Sequence, residues 1–163
     1  MRNKLYLIEL LVTLLLVGCQ NTGKKETTDV YVPSFPLVEF VRPANVNPII
    51  TPDSATCFYC PLTEDSVAWE SNDTFNPAAT TYGDKVVVFY RAEDRLGKGI
   101  GQRTSRLGYA ESEDGIHFKR ERYPVFYPAD DCQKDLEWPG GCEDPRIAVT
   151  EDGLYVMLYT QWN

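Results

Sequence analysis

The sequence predicts an all-β protein and, within that class, blades of a β-propeller. Three observations carry this. Short runs of β-branched and aromatic residues alternate with Asp-Gly turns at Glu113-Asp114-Gly115 and Glu151-Asp152-Gly153. No helix-length window holds a helical period. And one passage is written twice, 68 residues apart: Asn76-Pro77-Ala78-Ala79-Thr80-Thr81-Tyr82-Gly83-Asp84 runs into Lys85-Val86-Val87-Val88-Phe89-Tyr90, and Asp144-Pro145-Arg146-Ile147-Ala148-Val149-Thr150-Glu151-Asp152-Gly153 runs into Leu154-Tyr155-Val156-Met157-Leu158-Tyr159. Such an echo marks repeat architectures. In a propeller the innermost strand of each blade starts beside the central channel. Asn76 and Asp144 would then hold equivalent places on neighbouring blades and face one shared cavity. A sandwich or jelly roll is the alternative.

The elements follow in order. Residues 1–18 read as a lipoprotein signal peptide: Arg2 and Lys4 are basic, Leu5 to Val17 is mostly apolar, and Leu16-Val17-Gly18-Cys19 places a small residue before the cysteine that would carry the lipid. Glu9 is a costly charge inside the apolar run, and an uncleaved N-terminal anchor is the other reading. Gln20 after Cys19 favours the outer membrane, so the expected place is the periplasm or cell surface, with the lipid as the only membrane contact. Residues 19–36, rich in Thr, Lys, Gly and Pro, are expected to be a tether. Residues 37–163 form the domain. Its strands are expected at Val86 to Arg91, Leu107 to Ser112, Ile116 to Lys119, Arg146 to Val149 and Leu154 to Thr160. The chain stops at Gln161-Trp162-Asn163, straight after an apolar strand, which predicts the first two or so blades of a longer propeller. Such a fragment alone is expected to be inactive, with open sheet edges.

Composition excludes several chemistries. A formal charge of −8 does not suit nucleic acid, whose phosphates need a basic surface. His117 is the single histidine, beside an Asp-Gly turn, which removes most His-based metal sites and serine triads. Gly97-Lys98-Gly99-Ile100-Gly101 lacks a following helix and reads as a loop rather than a phosphate cradle. With Cys19 lipidated, Cys57, Cys60, Cys132 and Cys142 remain, an even number in an exported chain. Local disulfides, Cys57–Cys60 and Cys132–Cys142, are the preferred pairing. No metal and no cofactor are expected.

Chemistry concentrates at Glu143-Asp144-Pro145-Arg146, behind the glycine-rich approach Trp138-Pro139-Gly140-Gly141-Cys142. Pro145 biases Asp144 toward an extended backbone. Neighbours on a strand face opposite sides, so one carboxylate is expected in the cavity and the other paired locally with an arginine. Burial would raise the carboxyl in the cavity, as a general acid requires. An acidic turn with Arg146 as ion-pair partner is the plainer alternative. Arg91 and Asp94 close the strand opened by the first echo, where an arginine can hold a sugar hydroxyl or orient a carboxylate; a solvated hairpin end is the alternative. Arg106 is similar. Trp138, Trp162 and Tyr90 could stack on sugars, although packing is the commoner fate of such residues.

At these residues the chain resembles glycoside hydrolase family 130, the β-mannoside phosphorylases and mannosidases. The pieces run in order: Phe75-Asn76-Pro77-Ala78, Phe89-Tyr90-Arg91-Ala92-Glu93-Asp94, Ser105-Arg106-Leu107-Gly108-Tyr109-Ala110, Ser112-Glu113-Asp114-Gly115-Ile116-His117-Phe118 and Gly141-Cys142-Glu143-Asp144-Pro145-Arg146-Ile147. The resemblance implies a five-bladed propeller. It implies Asp144 as the general acid, its proton passing through a hydroxyl of bound mannose, and Asn76 and Arg91 as mannose ligands. Asp94, Arg106 and Glu143 are further substrate-binding carry-overs, with Arg146 as a supporting ion-pair partner. It also implies inversion at the anomeric carbon, with either water or inorganic phosphate as nucleophile. The expected partner is an oligosaccharide or mannan-derived glycan, and homo-oligomers remain open. Export favours hydrolysis of a β-1,2-mannoside, because a sugar phosphate made outside the cytoplasm would be lost. Phosphorolysis to mannose 1-phosphate stands second, and a non-catalytic glycan-binding lipoprotein third.

Overall fold

The computed structural model describes residues 41–95 and 98–163. The signal peptide, Cys19 and the tether lie outside them. The described chain is all-β apart from one short helix, α1 (Lys134–Glu137). A small hairpin, β1 (Phe58–Cys60) and β2 (Asp65–Val67), stands apart from a six-stranded sheet. In that sheet β3 (Asp73–Tyr82), β4 (Lys85–Glu93) and β5 (Ser105–Ser112) form an antiparallel meander, with β6 (Lys119–Arg120) on the outside of β5. A second hairpin, β7 (Gly141–Val149) and β8 (Tyr155–Trp162), joins the meander through one parallel pairing, Ser105 with Gly141. These strands make an open array, not a closed ring.

The β3–β4 and β7–β8 hairpins form where expected, while the β1–β2 hairpin was not foreseen. Val86-Val87-Val88-Phe89-Tyr90 is a β-forming run, and Gly83 (φ 58) closes the turn before it. The expected strand at Ile116 to Lys119 is reduced to Lys119–Arg120. Asp114 explains the loss: its carboxylate accepts the backbone N–H of both Ile116 and His117, which bends the chain away from the ladder.

The two echoes are equivalent in space as well as in sequence. In the β3–β4 ladder the register slips between Phe75 and Ala78, so Asn76-Pro77 bulges opposite Tyr90. In the β7–β8 ladder it slips between Glu143 and Arg146, so Asp144-Pro145 bulges opposite Tyr159. Both bulge residues are left-handed, Asn76 at φ 45 and Asp144 at φ 48. The expectation of an extended backbone at Asp144 is thereby overturned. Proline disfavours the right-handed helical well for the residue before it, and the bulge selects the left-handed well instead, which Asn and Asp tolerate best among residues with a side chain. The opposing tyrosines match too. Tyr90 Oη donates to buried Glu70 (2.9 Å), and Tyr159 Oη donates to buried Glu137 (2.6 Å).

The core lies beneath the meander and under β1: Phe58, Cys60, Trp69, Val88, Tyr90, Ala92 and Ala110 pack together. Tyr90 is therefore a core residue and not a sugar platform. Its ring crosses β5 at Gly108, where a Cβ would fall 2.3 Å from it, so only glycine fits. The four described cysteines are free thiols, and the expected local disulfides are absent. They lie in different surroundings. Cys60 is buried at the end of β1 and takes a contact from Arg106 Nη2 (3.8 Å). Cys142 is buried within β7, while Cys132 is exposed before α1.

Candidate functional site

The site forms where the starts of β3 and β7 meet the end of β4. Asn76 Nδ2 donates to Asp144 Oδ1 at 2.9 Å, so the two echo residues touch directly. Arg91, on β4, gathers everything around them. Its Nη1 reaches Asp144 Oδ1 (3.2 Å), its Nη2 reaches Glu143 Oε1 (2.7 Å) and Glu93 Oε1 (2.6 Å), and its Nε donates to Ser105 Oγ (3.1 Å). The guanidinium lies over the Phe75 ring, 4.6 Å from its centroid. A guanidinium has five N–H donors; three donate hydrogen bonds, to Ser105, Asp144 and Glu93, Glu143 is held by charge at Nη2, and one Nη1–H remains on the Asp144 side.

Strict alternation would have sent Glu143 and Asp144 to opposite faces. The bulge breaks it, and both carboxylates reach the same arginine. Their environments differ. Glu143 is buried at 8% exposure and accepts from Ser105 Oγ (2.9 Å). Burial pushes its carboxyl up, helped by the like charges of Asp144 and Glu93 and opposed by Ser105 and Arg91. The Asp144 side chain is 34% exposed. Burial pushes its carboxyl up as well, but hydrogen bonds from Asn76 and Arg91 and the charges of Arg91 and Arg146 outweigh that, so it titrates below the ordinary value. This reverses the expected direction for Asp144: where two carboxylates share a site, the one holding the cations stays ionised.

Among the described residues Arg146 makes no ion pair at contact distance; its Nη1 donates to the Pro145 carbonyl (2.7 Å), and it acts on Asp144 through its charge. Asp94 and Arg106 are not brought to Asp144. Ser105 faces the site, so its neighbour Arg106 faces the other side of β5. There Arg106 Nη1 pairs with Asp94 Oδ2 (2.8 Å), both almost wholly buried, while Asp94 Oδ1 accepts from Thr104 N–H (2.8 Å). Three residues that sequence reasoning did not single out belong to the assembly: Ser105, Glu93 and Arg103. Glu93 was detectable, since a residue two from Arg91 on a strand shares its face. Arg103, reaching in from beyond a glycine-rich loop, left no signal. No group of three or more Asp, Glu, Cys or His residues able to hold a metal ion occurs among the described residues.

An ionised aspartate open to solvent, held by an amide and by an arginine with a spare donor, can hold a polyhydroxyl ligand and exchange a proton with it. Comparison with known proteins points the same way. The Glyco_hydro_130 family model, described as beta-1,4-mannooligosaccharide phosphorylase, matches residues 41–163. A crystal structure of a glycosyl hydrolase from Bacteroides ovatus is 74% identical, with a TM-score of 0.74 over 77% of this chain and 35% of that one. A solved structure from work on glycoside hydrolases of the GH130 family of mannoside phosphorylases, which target beta-1,2 mannosidic linkages in Candida mannan, is 73% identical (TM-score 0.72, 75% of this chain, 34% of that one). A 1,2-beta-oligomannan phosphorylase of Thermoanaerobacter sp. (strain X514) is 43% identical over 97 residues, covering 56% of this chain and 29% of the relative. The chain thus spans about a third of the length of the proteins it matches.

Proposed function

The chain belongs to glycoside hydrolase family 130, and from that premise we propose that the whole protein is an exported, lipid-anchored enzyme that hydrolyses β-1,2-linked mannosides with inversion. The observation that carries the reading is the junction of the two echoes, where Asn76 and Arg91 converge on one partly open carboxylate, Asp144. Asn76 and Arg91 hold the sugar through its hydroxyls, using the spare Nη1–H and the amide. Bound sugar displaces water from Asp144 and favours its protonated form. Asp144 then supplies the proton to the glycosidic oxygen by way of a sugar hydroxyl.

Glu143 does not serve as the base that activates water. It binds the same guanidinium as Asp144, so both carboxyls lie on one side of any sugar seated there. An inverting hydrolase needs its base on the opposite face, about 6.5–9.5 Å from the acid. Glu143 and Ser105 instead brace Arg91. Asp94 and Arg106, paired on the far side of β5, support the strand that presents Ser105.

Identity favours water over phosphate as nucleophile: 74% and 73% to the glycosyl hydrolases, 43% to the phosphorylase. Phosphorolysis, with inorganic phosphate as co-substrate, is the second reading, and that 43% identical relative is its support. The test incubates the complete protein with β-1,2-mannobiose, with and without phosphate. Free mannose at equal rates in both is expected; phosphate-dependent mannose 1-phosphate would transfer the assignment to phosphorolysis. Asp144→Asn should lower kcat by about 10²–10⁴-fold and leave sugar affinity nearly unchanged. Sugar binding without any turnover by the unaltered protein would make it a glycan-binding lipoprotein.

A further inference from the structure

Arg91 has more acidic neighbours than it needs, and they pull in different directions. Glu143 and Asp144 draw the guanidinium toward β7, while Glu93 holds it from behind on its own strand. Glu93 is 5% exposed and each of its oxygens is taken by a different arginine. Oε1 takes Arg91 Nη2 at 2.6 Å, and Oε2 takes Arg103 Nη1 at 2.7 Å. The same Arg103 nitrogen binds Asp73 Oδ2 (2.8 Å), and Arg103 Nε donates to the Lys98 carbonyl (2.6 Å). Asp73 is the register partner of Glu93, so Arg103 stitches the start of β3 to the end of β4 and both to the loop that carries Lys98.

We propose that Glu93, clamped by Arg103, is the positioning residue that fixes the Arg91 fork toward Asp144, and that the 98–103 loop thereby sets how the site holds its sugar. Neither Glu93 nor Arg103 touches Asp144; both act through Arg91. The inference rests on the reading that Asn76, Arg91 and Asp144 bind the sugar. Without Glu93 the guanidinium keeps Glu143, Asp144 and the Ser105 hydroxyl but loses its carboxylate anchor on β4, and it swings toward β7. Its spare Nη1–H then no longer points where a hydroxyl would sit. Misplacement by about 1 Å at such a group costs up to about 10²-fold in rate.

The test uses the complete protein and two independent readouts. In the first, arginine Nε–Hε resonances are recorded by NMR, with Arg91 assigned by its loss in Arg91→Lys. A sharp Arg91 signal is expected in the unaltered protein, broadened in Glu93→Gln and in Arg103→Met. In the second, steady-state kinetics on β-1,2-mannobiose should show kcat lowered by about tenfold or more in both variants, with KM moving far less. Arg103→Lys, which keeps a cation at the clamp, should recover most of the rate. Because Arg103 lies at the surface edge of the cluster, its variants test the idea even where Glu93→Gln folds poorly. An Arg91 resonance unchanged in Arg103→Met, or a kcat unchanged there, overturns the proposal. If the unaltered protein cleaves no β-mannoside, the functional reading fails by itself, and the NMR readout still decides the role of Glu93.

Discussion

Arg91 decides the charge state of the site. It is the nearest cation to two carboxylates whose titrations diverge, Glu143 above and Asp144 below the ordinary range. In Asp144 burial alone would raise the carboxyl; Asn76 and Arg91 reverse the sign. Arg91→Gln removes a charge that lowers both groups, so both titrations should move to higher pH. The sign follows from linkage. A lowered carboxyl contributes stability above its unfolded value, near 4, and loses it as pH falls through the folded one. With Arg91 gone, Asp144 takes up its proton at a higher pH, and the acid-loaded form persists further toward neutrality. Carboxyl 13C NMR of the two residues checks this directly, and a downward or absent shift in Arg91→Gln would show that Asn76 and Arg146 hold Asp144 without help. The identity of the bulge residues has a second cause. At φ 45 and φ 48 a β-branched side chain would be strained, so Asn76 and Asp144 satisfy the backbone as well as the chemistry.

Between elements, the contact that matters is the single parallel pairing of Ser105 with Gly141. Ser105 N–H donates to the Gly140 carbonyl (2.8 Å), and Ser105 Oγ then reaches Glu143. Gly141 has φ 120, and a Cβ there would fall 2.2 Å from the Ser105 backbone. Gly141→Ala should therefore push β7 off β5, break the Ser105–Glu143 bond and lower stability by about 1–3 kcal/mol, together with activity. Thermal melts alongside kinetics measure it; a variant with unchanged melting would mean that the junction is slack. This contact also shows how far the sequence could be read. The β3–β4 and β7–β8 hairpins were legible because β-forming runs and Gly/Asp turns are local signals. That Asn76 and Asp144 hold equivalent places was legible because the echo repeats them; their direct hydrogen bond was not. The bulges were not, since a ladder's register lies in no single strand, and with them went the backbone of Asp144 and the common reach of Glu143 and Asp144 to Arg91. The Glu70–Tyr90 and Glu137–Tyr159 bonds escaped for a related reason: each glutamate lies outside the strand it serves.

At the scale of the whole molecule, the free thiols and the proposed export have to be reconciled. A secreted chain with an even number of cysteines ordinarily pairs them, yet Cys57, Cys60, Cys132 and Cys142 are all free here. Burial answers for two. Cys60 sits in the core at 1% exposure and Cys142 at 0%, so neither is within reach of reagents in the folded chain; burial, with neighbouring Glu137, pushes the Cys142 thiol well up, whereas at Cys60 burial is outweighed by hydrogen bonds from Thr63, Leu62 and Arg106, which lower it. Cys132 is exposed and Cys57 half-buried, and they belong to different parts of the chain, one before β1 and one before α1. Alkylation of the native complete protein, followed by mass spectrometry, should therefore label Cys132 first, Cys57 more slowly, and Cys60 and Cys142 only after denaturation. Unlabelled Cys57 and Cys60 in the denatured, unreduced protein would restore the local disulfide. The same preparation tests the anchor. If residues 1–18 are removed and Cys19 is lipidated, the mature N-terminal peptide carries the mass of acyl chains, and Cys19→Ala releases the protein from membranes while leaving the labelling order of the four domain thiols as it was.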